Sequence, residues 1–256
     1  MLCCVSLLFL AVSRIQAADF ENLYESHTYE AADGEKLLYR LMKPANYQAN
    51  ADVKYPLVLF LHGAGERGSD NVKTLVHAAG EFAKPEVREK YPCFVLVPQC
   101  PEKKKWVEID WSLPTHDQST EDSPTMKMVL DLMQKLEKEF RIDQQRLYAT
   151  GLSMGGYGTW DLATRHSDMF AAAVPVCGGG DEKVAKNATK LPIWAFHGDQ
   201  DTAVKPERSR NMIAALEKAG GKPIYTEYPG VGHDSWTKAY SDPKLMAWLF
   251  AQKRNP

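Results

Sequence analysis

RLYATGLSMGGYGTW, from Arg146 to Trp160, is the most informative segment of the sequence. It opens on a short apolar run, passes through Gly151-Leu152-Ser153-Met154-Gly155 and continues with a helical pattern. A strand, a tight turn and a helix in this order are the context of a nucleophile elbow, whose strained turn lifts a serine hydroxyl above a sheet. Glycines two residues either side of Ser153 leave room for that turn. The stretch therefore predicts an α/β domain in which Ser153 is a nucleophile.

Other apolar runs of strand length lie on both sides of this stretch. They are LVLFLHG from Leu57, FVLV from Phe94, AAAVPVCGGG from Ala171, PIWAFHG from Pro192 and PIYTEYPG from Pro223. Continuous apolar runs are typical of strands buried on both faces. Helical segments separate them or follow them, at 124–140, 207–219 and 243–252. The alternation predicts a three-layer α/β fold with a mainly parallel sheet.

The N-terminal part has a different pattern. Tyr24 to Ala31 and Lys36 to Met42 flank Asp33-Gly34, which predicts an antiparallel hairpin at one edge of the sheet. Ligands of such sheets bind beyond the carboxyl ends of the strands, so the loops that follow the strands should hold the site.

A serine hydroxyl needs a base, and the base needs a carboxylate behind it. Three histidines follow Ser153, namely His166, His197 and His233. Only His233 follows the last strand and lies in a glycine-rich loop, so we predict it to be the base. His166 is expected at a helix end, and His197, at the end of a strand, is expected to be structural.

The acid should follow the strand that carries His197. Asp199 and Asp201 both qualify by position, and the residues themselves leave the choice between them open. Asp181 and Glu182, after the preceding strand, form a weaker third choice.

Acyl transfer also needs donors for the oxyanion. We predict the backbone amide of Met154 as one donor and that of Ala64 as the other, in His62-Gly63-Ala64-Gly65, which we call the oxyanion loop. The segment lacks the layout of a phosphate-binding loop. Glu66 and Arg67, which follow it, either shape the mouth of the pocket or pair with each other.

Three tryptophans fall in loops predicted at the catalytic face. Trp106, Trp111 and Trp236 are therefore candidate substrate-binding residues, because aromatic surfaces stack on sugars or aromatic acids. The alternative is that they pack loops onto the domain.

The composition limits the possible partners. A formal net charge of -2 provides no field for nucleic acid, and no histidine or cysteine cluster has metal-ligand spacing. We therefore expect no nucleic-acid partner, no metal and no cofactor. Cys93 and Cys100 are too far apart along one run to pair with each other, but a bridge from Cys177 to either stays open.

The N-terminal segment predicts secretion. Leu2 to Val12 is an uncharged apolar run too short to span a membrane, and Ala17-Ala18 offers a cleavage point, although no basic residue precedes the run. We expect a signal peptide at 1–17, then one α/β catalytic domain at 18–256 that is monomeric, secreted or periplasmic, and free of the membrane.

Six segments carry a resemblance to a known family. They are HGAGERGSDN from His62, VLVPQCP from Val95, RLYATGLSMGGYGTW from Arg146, PVCGGGD from Pro175, FHGDQDTAV from Phe196 and GHDSW from Gly232. Together they resemble the polyhydroxybutyrate-depolymerase-like and feruloyl-esterase-like branch of α/β-hydrolases, from about Glu25 onwards.

The resemblance implies a serine carboxylic-ester hydrolase. The pattern H-G-x-x-D-x-x-V matches Asp201 and Val204, so it implies Asp201 as the acid and Asp199 as a turn residue. The implied substrates are feruloyl or acetyl esters of plant polysaccharides, or short-chain esters. A serine peptidase or a polyester depolymerase is the alternative, and a non-catalytic binding protein is a third class.

Overall fold

An eight-stranded sheet forms the centre of the structure, a computed structural model that describes residues 20–49, 52–111 and 113–254. The strands are β1 (Tyr24–Glu30), β2 (Lys36–Met42), β3 (Tyr55–Leu61), β4 (Phe94–Gln99), β5 (Ile142–Leu152), β6 (Ala172–Val176), β7 (Trp194–Gly198) and β8 (Ile224–Tyr228). Their order across the sheet is β1-β2-β4-β3-β5-β6-β7-β8. All pairs from β4 to β8 are parallel, so the prediction of a mainly parallel sheet is confirmed.

The predicted N-terminal hairpin is also present. β1 pairs antiparallel with β2, and their turn contains Gly34 at φ 86°, a conformation that glycine adopts without strain. β2 then pairs antiparallel with β4, which joins the hairpin to the parallel strands. The sequence patterns did not predict this second antiparallel pairing.

Helices cover both faces of the sheet. They are α1 (Ala79–Ala83), α2 (Pro85–Lys90), α3 (Pro124–Glu139), α4 (Met154–Arg165), α5 (Glu207–Lys218), α6 (Trp236–Ser241) and α7 (Pro243–Ala251). Apolar residues of α3, α4 and α5 share one core cluster, and those of α1, α6 and α7 share the other. Strand β3 contributes to both, with Leu59 on one face and Phe60 on the other. This is the three-layer arrangement that the sequence predicts.

The predicted signal peptide, 1–17, lies outside the described residues. None of the helices within the described residues has the length and apolar character of a membrane span. Cys93, Cys100 and Cys177 are buried free thiols, so the bridge left open for Cys177 does not form.

Candidate active site

Ser153 lies on the tight turn between β5 and α4. Its backbone has φ 53° and ψ −116°, a strained conformation for a residue with a side chain, and its N–H donates to the Val176 carbonyl at 3.0 Å. The turn requires glycine on both sides. A Cβ on Gly151 would lie 2.5 Å from the Gly155 carbonyl oxygen, and one on Gly155 would overlap the Leu61 carbonyl. The two glycines of the motif are therefore required because β3, β5 and α4 pack too closely there for a side chain.

His233 lies in the base loop, residues 229–235, which joins β8 to α6. Its Nε2 is 2.9 Å from Ser153 Oγ, and its Nδ1 is 2.7 Å from Asp201 Oδ2. With Nδ1–H donating to the carboxylate, Nε2 is free to accept the serine proton. The structure therefore brings the three predicted residues into one hydrogen-bonded series.

Asp201 is buried and surrounded by donors. Its Oδ1 accepts the backbone N–H groups of Ala203 and Val204, each at 2.9 Å, and His197 Nε2 lies 3.2 Å from Oδ2. Burial raises the pKa of Asp201, but the hydrogen bonds from His197, His233 and the Val204 amide outweigh it and hold that pKa well below its usual value. The carboxylate is therefore ionised throughout the neutral range.

Asp199, the other candidate left open by position, faces a different group. Its Oδ1 accepts the Gly230 N–H at 2.7 Å, and the neighbouring Gln200 N–H donates to the Val231 carbonyl at 2.9 Å. These bonds tie the loop after β7 to the base loop. Asp199 thus lies in the turn that holds the two loops together, and only Asp201 contacts the His233 ring.

The oxyanion loop follows β3 and passes beside Ser153. A Cβ on Gly63 would lie 3.6 Å from the Ser153 Cβ, and Ala64 begins a short 3₁₀ turn, Ala64–Glu66. Met154 is the first residue of α4, where backbone N–H groups have no acceptor within the helix. The two amides predicted as donors thus come from segments that meet at the serine.

His62 anchors this loop, a role that sequence reasoning missed. Its Nε2 accepts the Cys100 N–H at 2.9 Å, and its Nδ1 is 2.6 Å from the Gly63 carbonyl oxygen. Burial lowers the pKa of His62 to about 4, so the ring is neutral and keeps its acceptor nitrogen at neutral pH. The H-G start of the segment is the only sequence signal for this role.

The prediction of a substrate contact is wrong for Trp106. This side chain is fully buried in the core, and its indole N–H donates to the His62 carbonyl at 2.9 Å. The indole packs against the His62 ring, with 5.1 Å between the ring centroids, so its loop folds against the oxyanion loop rather than over the pocket. Trp106 therefore supports the loop and cannot contact a substrate.

Trp111 and Trp236 are both only partly buried. Trp111 has Lys105 Nζ 4.7 Å from its ring centroid and lines a cavity of about 620 Å³, together with the Thr202–Ala203 segment that follows Asp201. Trp236 packs its ring 5.3 Å from the His233 ring. Both indoles lie beside residues of the triad loops, although Trp236 begins α6 rather than lying in a loop, and substrate contact by either stays a prediction.

Glu66 and Arg67 do not pair with each other. Arg67 Nε donates to the Ala64 carbonyl at 2.8 Å, whereas a Glu66 carboxylate oxygen lies 3.4 Å from His77 Nε2. His77 was not among the sequence candidates, because it lies in a segment with no motif.

One group of metal-ligand types occurs in the described part of the chain. Potential ligand atoms of Cys177, Asp201 and His233 lie within 4.8 Å of one another. A cation there would displace the proton between His233 and Asp201, and burial raises the pKa of the Cys177 thiol well above its usual value. The chemistry of these groups therefore fits the hydrogen-bonded series better than a metal centre.

Comparisons with known proteins place this geometry in a family. The model of the dienelactone hydrolase family matches residues 111–243, just over half of the chain and a range that contains Ser153, Asp201 and His233. The crystal structure of a thermostable esterase superposes with a TM-score of 0.85 at 37% identity, over 92% of this chain and 64% of that one. The chain thus spans just under two thirds of that esterase.

Two proteins with related sequences are also named as esterases. A protein named Probable carboxylesterase from Oryza sativa subsp. japonica is 26% identical over 80% of this chain and 81% of its own length. Feruloyl esterase B of Thermothelomyces thermophilus is 27% identical over 43% of this chain and 50% of its own length. The resemblance to α/β-hydrolases read from the motifs is confirmed: the chain belongs to the dienelactone hydrolase family of that superfamily, and the relatives named here are esterases.

Proposed function

We propose that the protein hydrolyses carboxylic esters through an acyl-enzyme on Ser153, with His233 as base and Asp201 as acid. The observation that carries the proposal is the continuous series from Ser153 Oγ through both nitrogens of His233 to Asp201 Oδ2. His233 Nδ1–H donates to Asp201, and Nε2 accepts from Ser153, so transfer of one proton to Nε2 activates the serine.

The steps follow from these contacts. Ser153 Oγ attacks the ester carbonyl carbon while its proton passes to His233 Nε2, and Asp201 stabilises the imidazolium. The negative oxygen accepts hydrogen bonds from the Ala64 and Met154 amides. The bond to the alcohol breaks as His233 returns the proton to the leaving oxygen. Water then attacks the acyl-enzyme by the same route and releases the acid.

The proposed substrates are feruloyl or acetyl esters of plant polysaccharides, or short-chain esters. The cavity beside Trp111 supports this proposal, since an indole can stack on an aromatic acid or a sugar ring. The feruloyl esterase among the relatives supports it as well. The proposed steps use only side chains, backbone amides and water.

A panel of substrates tests the proposal. We expect turnover of nitrophenyl acetate and methyl ferulate, and slow turnover or none of short proline-containing peptides. The rival proposals are a serine peptidase and a polyester depolymerase, which use the same machinery. Peptide cleavage without ester cleavage would contradict our choice, and release of acid from a polyester film but not from soluble esters would favour the depolymerase.

We also propose that the protein is secreted or periplasmic, as a monomer that consists of the catalytic domain 18–256. The proposal rests on the apolar run Leu2 to Val12 and the small residues that follow it. We expect the mature protein to begin near Ala18, and N-terminal sequencing that finds Met1 would contradict this.

A further inference from the structure

Three side chains outside the triad form a row that ends on the base. The Trp236 ring lies 5.3 Å from the His233 ring, at 87° between the planes. On its other side, the Trp236 ring is 5.0 Å from the ring of His77. His77 Nε2 in turn lies 3.4 Å from Glu66 Oε1. The row of Glu66, His77 and Trp236 therefore connects the residue that follows the oxyanion loop to His233.

Glu66 is the fixed end of this row. Its side chain is 14% exposed and turns back on its own loop, since Oε2 lies 2.9 Å from the place of a Cβ on Gly63. Burial raises the pKa of Glu66, but the contact with His77 and the hydrogen bond from the Gly63 backbone outweigh it, so that pKa is below its usual value. A carboxylate is therefore present at neutral pH to hold the His77 N–H.

Trp236 is the end that acts on the triad. It is the first residue of α6, three residues after His233, and its side chain is only half-buried. Asp201 holds the His233 ring only through the hydrogen bond at Nδ1. Packing must therefore limit rotation of the ring about that hydrogen bond. The Trp236 ring supplies such packing, and an aromatic ring within about 6 Å of a cation also stabilises it.

We propose that His77 is a positioning residue for the hydrolysis, which acts on His233 through Trp236 and is held by Glu66. The proposal rests on the proposed function. Because Glu66 also lies against Gly63, the row links the position of the base to that of the oxyanion loop. A shift in either group away from the reacting atoms lowers the rate of the chemical step. The substrate itself need not touch His77, so kcat should change more than KM.

A double-mutant cycle tests this route. We expect His77→Ala to lower kcat on nitrophenyl acetate by about 3- to 30-fold, with KM changed by less than about threefold. In a Trp236→Ala background the same substitution should change kcat by less than about twofold, because the contact that it acts through is already gone. Val76→Ala is the matched control, since this neighbour is 62% exposed and should leave kcat unchanged.

The outcomes separate clearly. An unchanged kcat in His77→Ala, or the same loss in both backgrounds, would overturn the proposal. If His77→Ala does not fold by circular dichroism, His77→Gln, which keeps an N–H donor towards Glu66, takes its place in the cycle with the same expected pattern. If Ser153→Ala abolishes ester turnover but His77→Ala leaves kcat unchanged, only this inference is refuted. Turnover that survives in Ser153→Ala would refute the proposed function.

Discussion

The Asp201 carboxylate contacts two imidazoles and two backbone amides, whereas Asp199 contacts a single amide of the base loop. Asp201→Asn should therefore lower kcat by up to about 10⁴, because an amide cannot hold His233 in the required tautomer. Asp199→Asn should cost far less, since an amide oxygen can still accept the Gly230 N–H. Steady-state kinetics with nitrophenyl acetate measure both effects.

Circular dichroism of both variants is the control, because either change could disturb the loop after β7. A crippled Asp199→Asn enzyme beside an Asp201→Asn enzyme of wild-type rate would contradict the assignment of the acid.

Single residues were predictable from the sequence where a motif fixed the backbone around them. Ser153 was identified by the glycines that its turn requires, and His233 by its place after the last strand. The prediction that Trp106 contacts a substrate is wrong because the burial of a loop residue depends on how the loop folds. The sequence does not show whether such a residue is exposed or in the core. His77 was missed for a related reason, since its partners lie 11 and 159 residues away along the chain.

The elements that position the site carry a pH-sensitive contact. His62, at the end of β3, has its pKa lowered to about 4 by burial, whereas an unfolded histidine titrates near 6.5. The unfolded state therefore binds the proton first, so the stability that the neutral ring contributes is complete above about pH 6.5 and is lost as the pH falls towards 4. Protonation would also remove the acceptor of the Cys100 N–H.

We expect the free energy of unfolding to fall by about 1–3 kcal/mol between pH 7 and pH 4.5 through His62, in addition to the effect of other groups. His62→Gln, which cannot titrate there, should show a shallower decline in urea titrations at the two pH values. An equal decline in the variant and the wild type would show that His62 does not contribute.

The longer strands and helices were predictable because their apolar residues form patterns long enough to recognise in the sequence. The strands β3 to β8 and the helices α3 and α5 follow apolar patterns, and the hairpin follows its Asp33-Gly34 turn. The pairing of β2 with β4 was not predictable, because strand order depends on contacts between distant segments. The short helices α1 and α2 have too few turns to show a period.

The whole molecule gathers the site at one end of the sheet. Loops after β3, β5, β7 and β8 meet there because parallel strands end on the same side. A larger cavity, of about 780 Å³, lies beside Tyr55 at the beginning of β3, and thus at the opposite end of that strand. None of the triad residues lines this larger cavity.

Turnover by Ser153→Ala tests whether Ser153 is the nucleophile. The substitution removes the attacking oxygen and leaves the remaining contacts of the site in place, so kcat on nitrophenyl acetate should fall by about 10⁶, while the melting temperature stays close to that of the wild type. Mass spectrometry of the wild-type protein should in addition find the acyl group on the peptide that contains Ser153. A Ser153→Ala protein that folds and still hydrolyses the ester at a rate near the wild type would show that Ser153 is not the nucleophile.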